Sequence, residues 1–156
     1  MKHIRNLTLT FIGATMLFIS CAKTNTNPTN SNNNPSSTNS FSVSLNGLLW
    51  TAKADSGQLL GADVANVYGI KGSSVIYLSL NSLSPGTYTL TSGGQTSVNY
   101  SPDGIGLFKS DSGSVVITSY SDSIVKGNFQ GRLTNGTNTG YIYKMTNGKF
   151  TTRLKY

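Results

Sequence analysis

Ile124-Val-Lys-Gly-Asn-Phe-Gln-Gly-Arg-Leu133 decides the fold, because apolar or glycine residues alternate with polar ones from Val125 to Leu133. Val125, Phe129 and Leu133 fall on one face, while the other face is mainly charged and amide side chains. A period of two residues is typical of a β-strand with one buried face and one face in water. The stretch therefore predicts a long strand that borders an apolar core.

The segments on both sides of this strand continue the pattern. Ser114–Tyr120 is predicted to be a strand that turns through Ser121-Asp122-Ser123 into Ile124. Tyr141–Met145 is expected to run to a turn at Asn147-Gly148, after which a last strand follows. That last strand is predicted to bury Phe150, Thr152, Leu154 and Tyr156 and to expose Lys149, Thr151, Arg153 and Lys155.

The strongest hairpin signal lies near the start of the folded region. Phe41–Leu45 alternates between apolar and polar residues, Asn46-Gly47 suits a type I′ turn, and Leu48–Ala52 returns. Trp50 is the only tryptophan of the chain, and we expect it in the core.

The remaining strands are shorter, and turn residues separate them. They are predicted over Val64–Ile70, Val75–Leu80, Thr87–Leu90, Ser97–Tyr100 and Gly104–Phe108. Asp55–Ala62 is expected to be a loop, and no segment has a helical period, so parallel βαβ units are excluded. Eight to ten short strands with Gly, Asn, Pro and Ser turns predict an all-β, antiparallel β-sandwich or flattened barrel.

Composition agrees with a sheet and restricts the chemistry. The formal net charge is +7, with five Asp, and no Glu occurs in the sequence. The single cysteine, Cys21, leaves no disulfide for the domain, and the single histidine is His3. The folded region therefore has no imidazole or thiol for a catalytic triad or a zinc site.

The N-terminal segment reads as a targeting signal. Lys2 and Arg5 precede the apolar run Leu7–Ile19, which is shorter than the roughly 20 residues that span a bilayer but suits a secretory signal. Ser20-Cys21 at its end resembles the lipobox of bacterial lipoproteins. That resemblance implies cleavage before Cys21 and attachment of acyl chains such as palmitate to it; an ordinary cleaved signal with an incidental cysteine is the alternative.

The boundaries follow from these features. Residues 1–20 are predicted to be the signal peptide and 41–156 the β domain. Between them, residues 21–40 comprise the lipidated cysteine and a tract dominated by Asn, Thr, Ser and Pro, which cannot bury enough apolar surface to order itself. We expect a cell-envelope protein that is lipid-anchored, in the outer membrane, with the periplasmic or surface face left open.

Five short motifs in the β domain carry a family resemblance. They are Asn46–Ala52, Pro85–Tyr88, Ser112–Thr118, Val125–Phe129 and Thr146–Phe150. In this order they resemble a family of uncharacterised Bacteroidota lipoproteins with a small β domain of unknown function. The resemblance implies the fold and the location, and it implies no activity.

The carboxylates provide little support for an enzyme. A glycosidase needs two carboxyl groups a few ångströms apart, and Asp103, Asp111 and Asp122 are interpreted as turn residues that bond to the local backbone. Asp55 and Asp63 are the other two carboxylates of the β domain. We expect no catalytic residue, no cofactor and no metal ligand; an Asp-dependent hydrolase is the least favoured alternative.

Basic residues on the outer faces of the last two strands form a candidate binding face for an anionic ligand. They are Lys126, Arg132, Lys149, Arg153 and Lys155. The expected partners are an anionic glycan, a lipid headgroup or an acidic envelope protein, and nucleic acid is not expected. A solvated face that blocks edge-to-edge pairing is the simpler interpretation.

Two further features leave alternatives open. Asp122-Ser123-Ile124 resembles the general O-glycosylation signal of Bacteroidota, which makes Ser123 a candidate for modification. Eight tyrosines allow a sugar-stacking platform, although packing within and between strands is the usual role of tyrosines in sheets.

Taken in that order, the features predict a membrane-anchored envelope lipoprotein whose non-catalytic β domain binds or scaffolds an envelope component, such as an anionic glycan. The alternative is a lipocalin-like carrier of an apolar ligand. A large apolar cavity would favour the carrier, whereas a flat exposed row of Tyr or Lys/Arg would favour the binding module.

Overall fold

Ten β-strands make up most of the described chain in the computed structural model, which describes residues 39–102, 106–136 and 141–156. All of them lie in one compact unit. The strands are β1 (Ser40–Leu45), β2 (Leu48–Thr51), β3 (Ala54–Leu59), β4 (Ala65–Lys71), β5 (Ser74–Leu80), β6 (Gly86–Thr91), β7 (Ser97–Ser101), β8 (Phe108–Ser121), β9 (Ile124–Thr134) and β10 (Ile142–Lys155).

Seven of these strands close into a barrel in the order β3-β4-β5-β7-β8-β9-β10. β1 pairs with β10 and with β2, and β6 pairs with β8, so these three strands extend the barrel at its rim. The predicted all-β barrel or sandwich is confirmed. The pairing is antiparallel except where β10 meets β3, which are parallel over Leu154↔Gly57 and Lys155↔Gln58.

The barrel core is filled with aromatic and aliphatic side chains. Val125, Phe129 and Leu133 are buried, as the alternation in β9 predicts. The ring of Phe41 lies 6.0 Å from that of Trp50 and 5.4 Å from that of Phe129, between ring centroids. Each buried aromatic ring removes a large apolar surface from water, so this cluster is a principal stabilising element of the fold.

The first hairpin forms as predicted. Asn46 and Gly47 have φ of 51° and 85°, the left-handed conformation that a type I′ turn requires. Trp50 is only 7% exposed, and its indole Nε1–H donates to Ser74 Oγ at 3.3 Å. The hydrogen bond fixes the orientation of the indole within the core.

The predicted loop over Asp55–Ala62 is wrong, because β3 occupies Ala54–Leu59. Gly57 is one reason why the sequence of this segment favours a loop. It is needed in the strand because a Cβ there would lie 2.6 Å from Leu154 Cδ2 and 2.8 Å from Thr152 Cγ2. Glycine at this position permits close contact between β3 and β10.

The prediction of a separate strand over Gly104–Phe108 is also wrong within the described part. Gly106 has φ of 61° and lies outside any strand, and β8 begins at Phe108 and runs without a break to Ser121. Gly113 pairs with Gly131 inside the sheet. Residues 103–105, and with them Asp103, lie outside the described residues.

The predicted turn at Asn147-Gly148 is a β-bulge within one continuous strand, β10. The register with β9 shifts between Met145 and Gly148, and Asn147 takes φ of 55°. Bulges commonly contain a residue with positive φ, which the sequence cannot distinguish from a hairpin turn. Tyr156 follows the end of β10 and is fully exposed, so its predicted burial is wrong.

Candidate functional site

The outer face of β9 and β10 brings three basic residues together. Lys126 lies opposite Thr151, and its diagonal neighbours on β10 are Lys149 and Arg153. Diagonal neighbours on one face of an antiparallel pair are roughly 7–8 Å apart. The two lysines are exposed and Arg153 is half-buried.

A groove of about 300 Å³ crosses this face where β10 bulges. The side chains along it are those of Ser114, Val116, Asn128, Gln130, Asn147 and Lys149. Gly148 lies at its base, and a Cβ at Gly148 would come within 2.7 Å of the Phe129 ring. The glycine lets β10 pack closely over this buried ring, and three amide groups and one ammonium group surround the groove.

Arg153 is held at the end of the barrel where β1 begins. Its Nη1 donates to the Asp122 carbonyl oxygen at 3.0 Å, and its backbone N–H donates to Asn39 Oδ1 at 3.2 Å. Lys155 follows two residues later, is exposed, and lies beside Gln58 of β3. The chain therefore enters the barrel next to the basic residues of β10.

Arg132 lies apart from the other four basic residues. Its guanidinium binds Asp111 in a bidentate manner, with Nε 3.0 Å from Oδ1 and Nη2 2.8 Å from Oδ2. Hydrogen bonds from Arg132 hold the pKa of the Asp111 carboxyl below its usual value. Arg132 lies six positions along β9 from Lys126, roughly 20 Å along a strand.

Asp111 is not the turn residue that the sequence predicts, because it lies within β8. Asp122 does lie in the β8–β9 turn, with φ of 51°, and the predicted bond of its side chain to the local backbone stays a prediction. The two carboxylates therefore lie at opposite ends of β8. Within the described residues, no group of three or more His, Cys, Asp or Glu could hold a metal ion.

Asp55 is the most buried of these carboxylates. It lies on β3 opposite Gly69, and its Oδ2 is buried without a hydrogen-bond partner in the described structure. Burial raises the pKa of this carboxyl, and a hydrogen bond from Asn39 opposes the shift. Asp63 is exposed between β3 and β4.

Ser123 is exposed in the β8–β9 turn, as the sequence pattern requires for a modified residue. It has φ of 62°, and its carbonyl oxygen accepts a hydrogen bond from the Leu154 N–H at 2.7 Å. Its glycosylation stays a prediction. Cys21 and residues 22–38 of the predicted tether lie outside the described residues, and Ser40, the last residue of that tether, is the first residue of β1.

The tyrosines divide between core and surface. Tyr100 and Tyr143 contact each other edge to face, with ring centroids 5.0 Å apart. Tyr68 and Tyr77 lie opposite each other on β4 and β5 with centroids 5.8 Å apart, and both are half-buried. No row of fully exposed tyrosines occurs in the strands that the structure describes.

The amide groups of the groove are not evident as a site from the sequence alone. The alternation of β9 places Asn128 and Gln130 on the same face as Lys126, so that signal was present. Asn147 carries no such signal, because its place at the groove depends on the bulge.

The fold and the site define an all-β barrel domain with a basic, amide-lined outer face. Residues 37–152 match the model of a family described as a domain of unknown function, DUF6252, and the chain belongs to this family. No curated protein and no solved structure matches the chain. In the parts that the structure describes, no helix has the length and apolarity to span a membrane.

Proposed function

We propose that this protein is a lipid-anchored envelope protein whose barrel binds an anionic glycan, without catalysis, on the outer face of β8, β9 and β10. One observation carries the proposal: the groove in which Lys149 lies beside the amides of Asn128, Gln130 and Asn147. Side-chain amides donate and accept hydrogen bonds, as sugar hydroxyls do, and the ammonium group complements a carboxylate or sulfate.

The surrounding charge strengthens the attraction for an anion. The ammonium groups of Lys126, Lys149 and Lys155 have no ion-pair partner in the described structure, where Arg132–Asp111 is the one salt bridge. Lys126 and Lys149 are diagonal neighbours spaced by roughly 7–8 Å, which is within the Debye length of about 8 Å at physiological salt. The fields of these two cations therefore overlap at the groove.

A binding role fits the carboxylates better than catalysis does. Asp111 is neutralised by Arg132, Asp122 lies in a turn and Asp63 is exposed in a loop, so these three do not form a pair in a cleft. A lipocalin-like carrier is less well supported, because Phe41, Phe129 and Phe150 occupy the centre of the barrel.

The proposed anchor is compatible with this site. Arg153 bonds to Asn39, so the tether predicted for residues 21–40 would join the barrel beside the basic face. A flexible tract of that length averages roughly 25 Å end to end, which would keep the face close to envelope glycans. Cys21→Ala is expected to remove the acyl mass from the protein isolated from its host.

The proposal is tested by titration with polygalacturonate, a carboxylated glycan, and with neutral dextran as a control. Binding to polygalacturonate should weaken as salt rises. The double variant Lys126→Gln/Lys149→Gln should bind roughly tenfold more weakly, equivalent to about 1.4 kcal/mol. The matched variant Lys71→Gln/Lys109→Gln loses the same charge elsewhere and should bind like the wild type.

Equal weakening in both double variants would show that only net charge matters and would contradict a site in the groove. Equal binding to dextran and polygalacturonate would contradict an anionic ligand. Binding to anionic phospholipid vesicles but not to polygalacturonate would assign the basic face to lipid headgroups instead.

A further inference from the structure

The end of the barrel at the β1–β2 turn contains a second, chemically different pocket. This end is opposite the one where Arg153 bonds to Asn39. Its volume is about 350 Å³, and it lies between the tip of the β1–β2 hairpin and the ends of β4, β7 and β10. Its lining residues include Leu48, Leu49, Trp50, Lys71, Tyr100 and Tyr143. Ends of β-barrels are a common place for ligand sites.

The hairpin tip supplies an apolar wall. Leu48 pairs with Leu45, and Trp50 pairs with Val43, so all four side chains point to the inner side of β1 and β2. Leu45 and Trp50 are buried, yet Leu48 is 77% exposed because it lies beyond the end of the packed core. Its neighbour Leu49 is 74% exposed. Covering these two leucines would remove a large apolar surface from water.

The floor of the pocket is rigid and aromatic. The Tyr143 ring meets those of Tyr100 and Phe108 edge to face, at centroid distances of 5.0 and 4.8 Å. The hydrogen bond to Ser74 fixes the Trp50 indole. A ligand would therefore enter a preformed surface and would lose little energy in reorganising it.

One cation lies among these apolar groups. Lys71 ends β4 and continues the inner row of Val67 and Gly69, which places it at the mouth of the barrel. Its ammonium group has no hydrogen-bond or ion-pair partner in the described structure, and no carboxylate lines the pocket. An apolar cleft with one unpaired positive charge complements a molecule with an apolar body and one negative charge.

We propose that this pocket binds an amphiphilic anion, namely a single short alkyl chain or apolar ring that carries a carboxylate or phosphate group. The apolar part lies against Leu48, Trp50 and Tyr143, and the anionic group meets Lys71. The volume is near the lower end of the roughly 300–1,000 Å³ of ligand pockets, which suits one chain rather than a diacyl lipid. The site does not depend on the proposed glycan groove, which lies on the outer face.

Trp50 reports on this pocket directly, because it is the only tryptophan in the chain and lines the pocket. The test is a fluorescence titration of the full chain carrying Cys21→Ala, so that no acyl chain of its own competes. The probes are decanoate, decyl phosphate, decanol and decylammonium, each below its micelle concentration. Decanoate and decyl phosphate should give saturable changes at roughly tenfold lower concentration than decanol, a difference of about 1.4 kcal/mol, and decylammonium should bind worst.

The variants separate the two parts of the site. Lys71→Gln should make decanoate bind like decanol while decanol binding is retained. Leu48→Asn should weaken all four probes, and because Leu48 is largely exposed this variant should fold normally. Lys149→Gln should change nothing here, so failure of this site and failure of the glycan site are distinguishable.

Absence of a saturable change with decanoate or decyl phosphate would overturn the proposal. So would an unaltered preference for the anions in Lys71→Gln. If Trp50 responds to phosphatidylcholine vesicles but to none of the free probes, the leucine tip inserts into membranes and the pocket is not a ligand site.

Discussion

Asp55 and Asp111 both lie on strands, yet their surroundings shift the pKa in opposite directions. Asp111 gains charge-assisted hydrogen bonds from Arg132, which favour its ionised form. Asp55 is partly desolvated, and its Oδ2 lacks a partner in the described structure, which favours the neutral form. The two carboxylates should therefore have opposite effects on the pH dependence of stability.

Asp111→Asn should destabilise the protein at pH 7. Because the folded-state pKa of Asp111 is depressed, its ionised form contributes stability above the unfolded value of 3.8. That contribution is lost as the pH falls through the folded-state pKa. Urea unfolding of wild type and variant should therefore differ at pH 7 and converge at strongly acidic pH. Asp63→Asn, at an exposed loop position, should show little difference at either pH.

Asp55→Asn should change the stability at pH 7 in the opposite direction. Because the folded-state pKa of Asp55 is raised, the wild type loses stability as the pH rises from 3.8 through that pKa. The neutral amide avoids the cost of a buried charge, so the variant should be at least as stable as the wild type at pH 7. The gain should disappear as the pH falls below 3.8. A loss of stability at pH 7, measured by the same urea unfolding, would mean that the Asn39 hydrogen bond outweighs desolvation.

At the scale of the elements, glycine accounts for much of the difference between sequence and structure. The long alternation of β9 and the Asn46-Gly47 turn were predictable because each depends on local rules. β3 and the bulge of β10 were not, because Gly57 and Gly148 are set by contacts with side chains distant in sequence. The same limit applies to the site. The alternation of the strands predicts that Lys126 and Lys149 lie on outer faces, but it does not predict the groove beside them.

Gly57→Ala should therefore cost about 1–3 kcal/mol of unfolding free energy, the usual range for overpacking a tight core. The added Cβ would lie 2.6 Å from Leu154 Cδ2, at the parallel contact that closes the barrel. Gly61→Ala is the matched control, because a Cβ there has no neighbour within 4 Å. Equal urea midpoints for the two variants would contradict the close packing of β3 on β10.

At the scale of the molecule, the two proposed sites lie at different places on the barrel. The basic groove occupies the outer face of β8–β10, close to where the chain enters at Asn39, and the apolar pocket occupies the far end of β1 and β4. One site should respond to salt and the other to the alkyl part of its ligand. The net charge of +7 alone would attract anions to the whole surface. A test of the two sites must therefore show where on the surface the ligand binds.

The most direct measurement is a nuclear magnetic resonance titration of ¹⁵N-labelled protein with short polygalacturonate oligomers at low and raised salt. We expect amide shift changes concentrated at Lys126, Asn128, Gln130 and Asn147–Lys149, which diminish as salt rises. Changes centred on the Tyr68–Tyr77 pair or on the Lys71 pocket, or shifts that salt does not reduce, would contradict a glycan site in the groove.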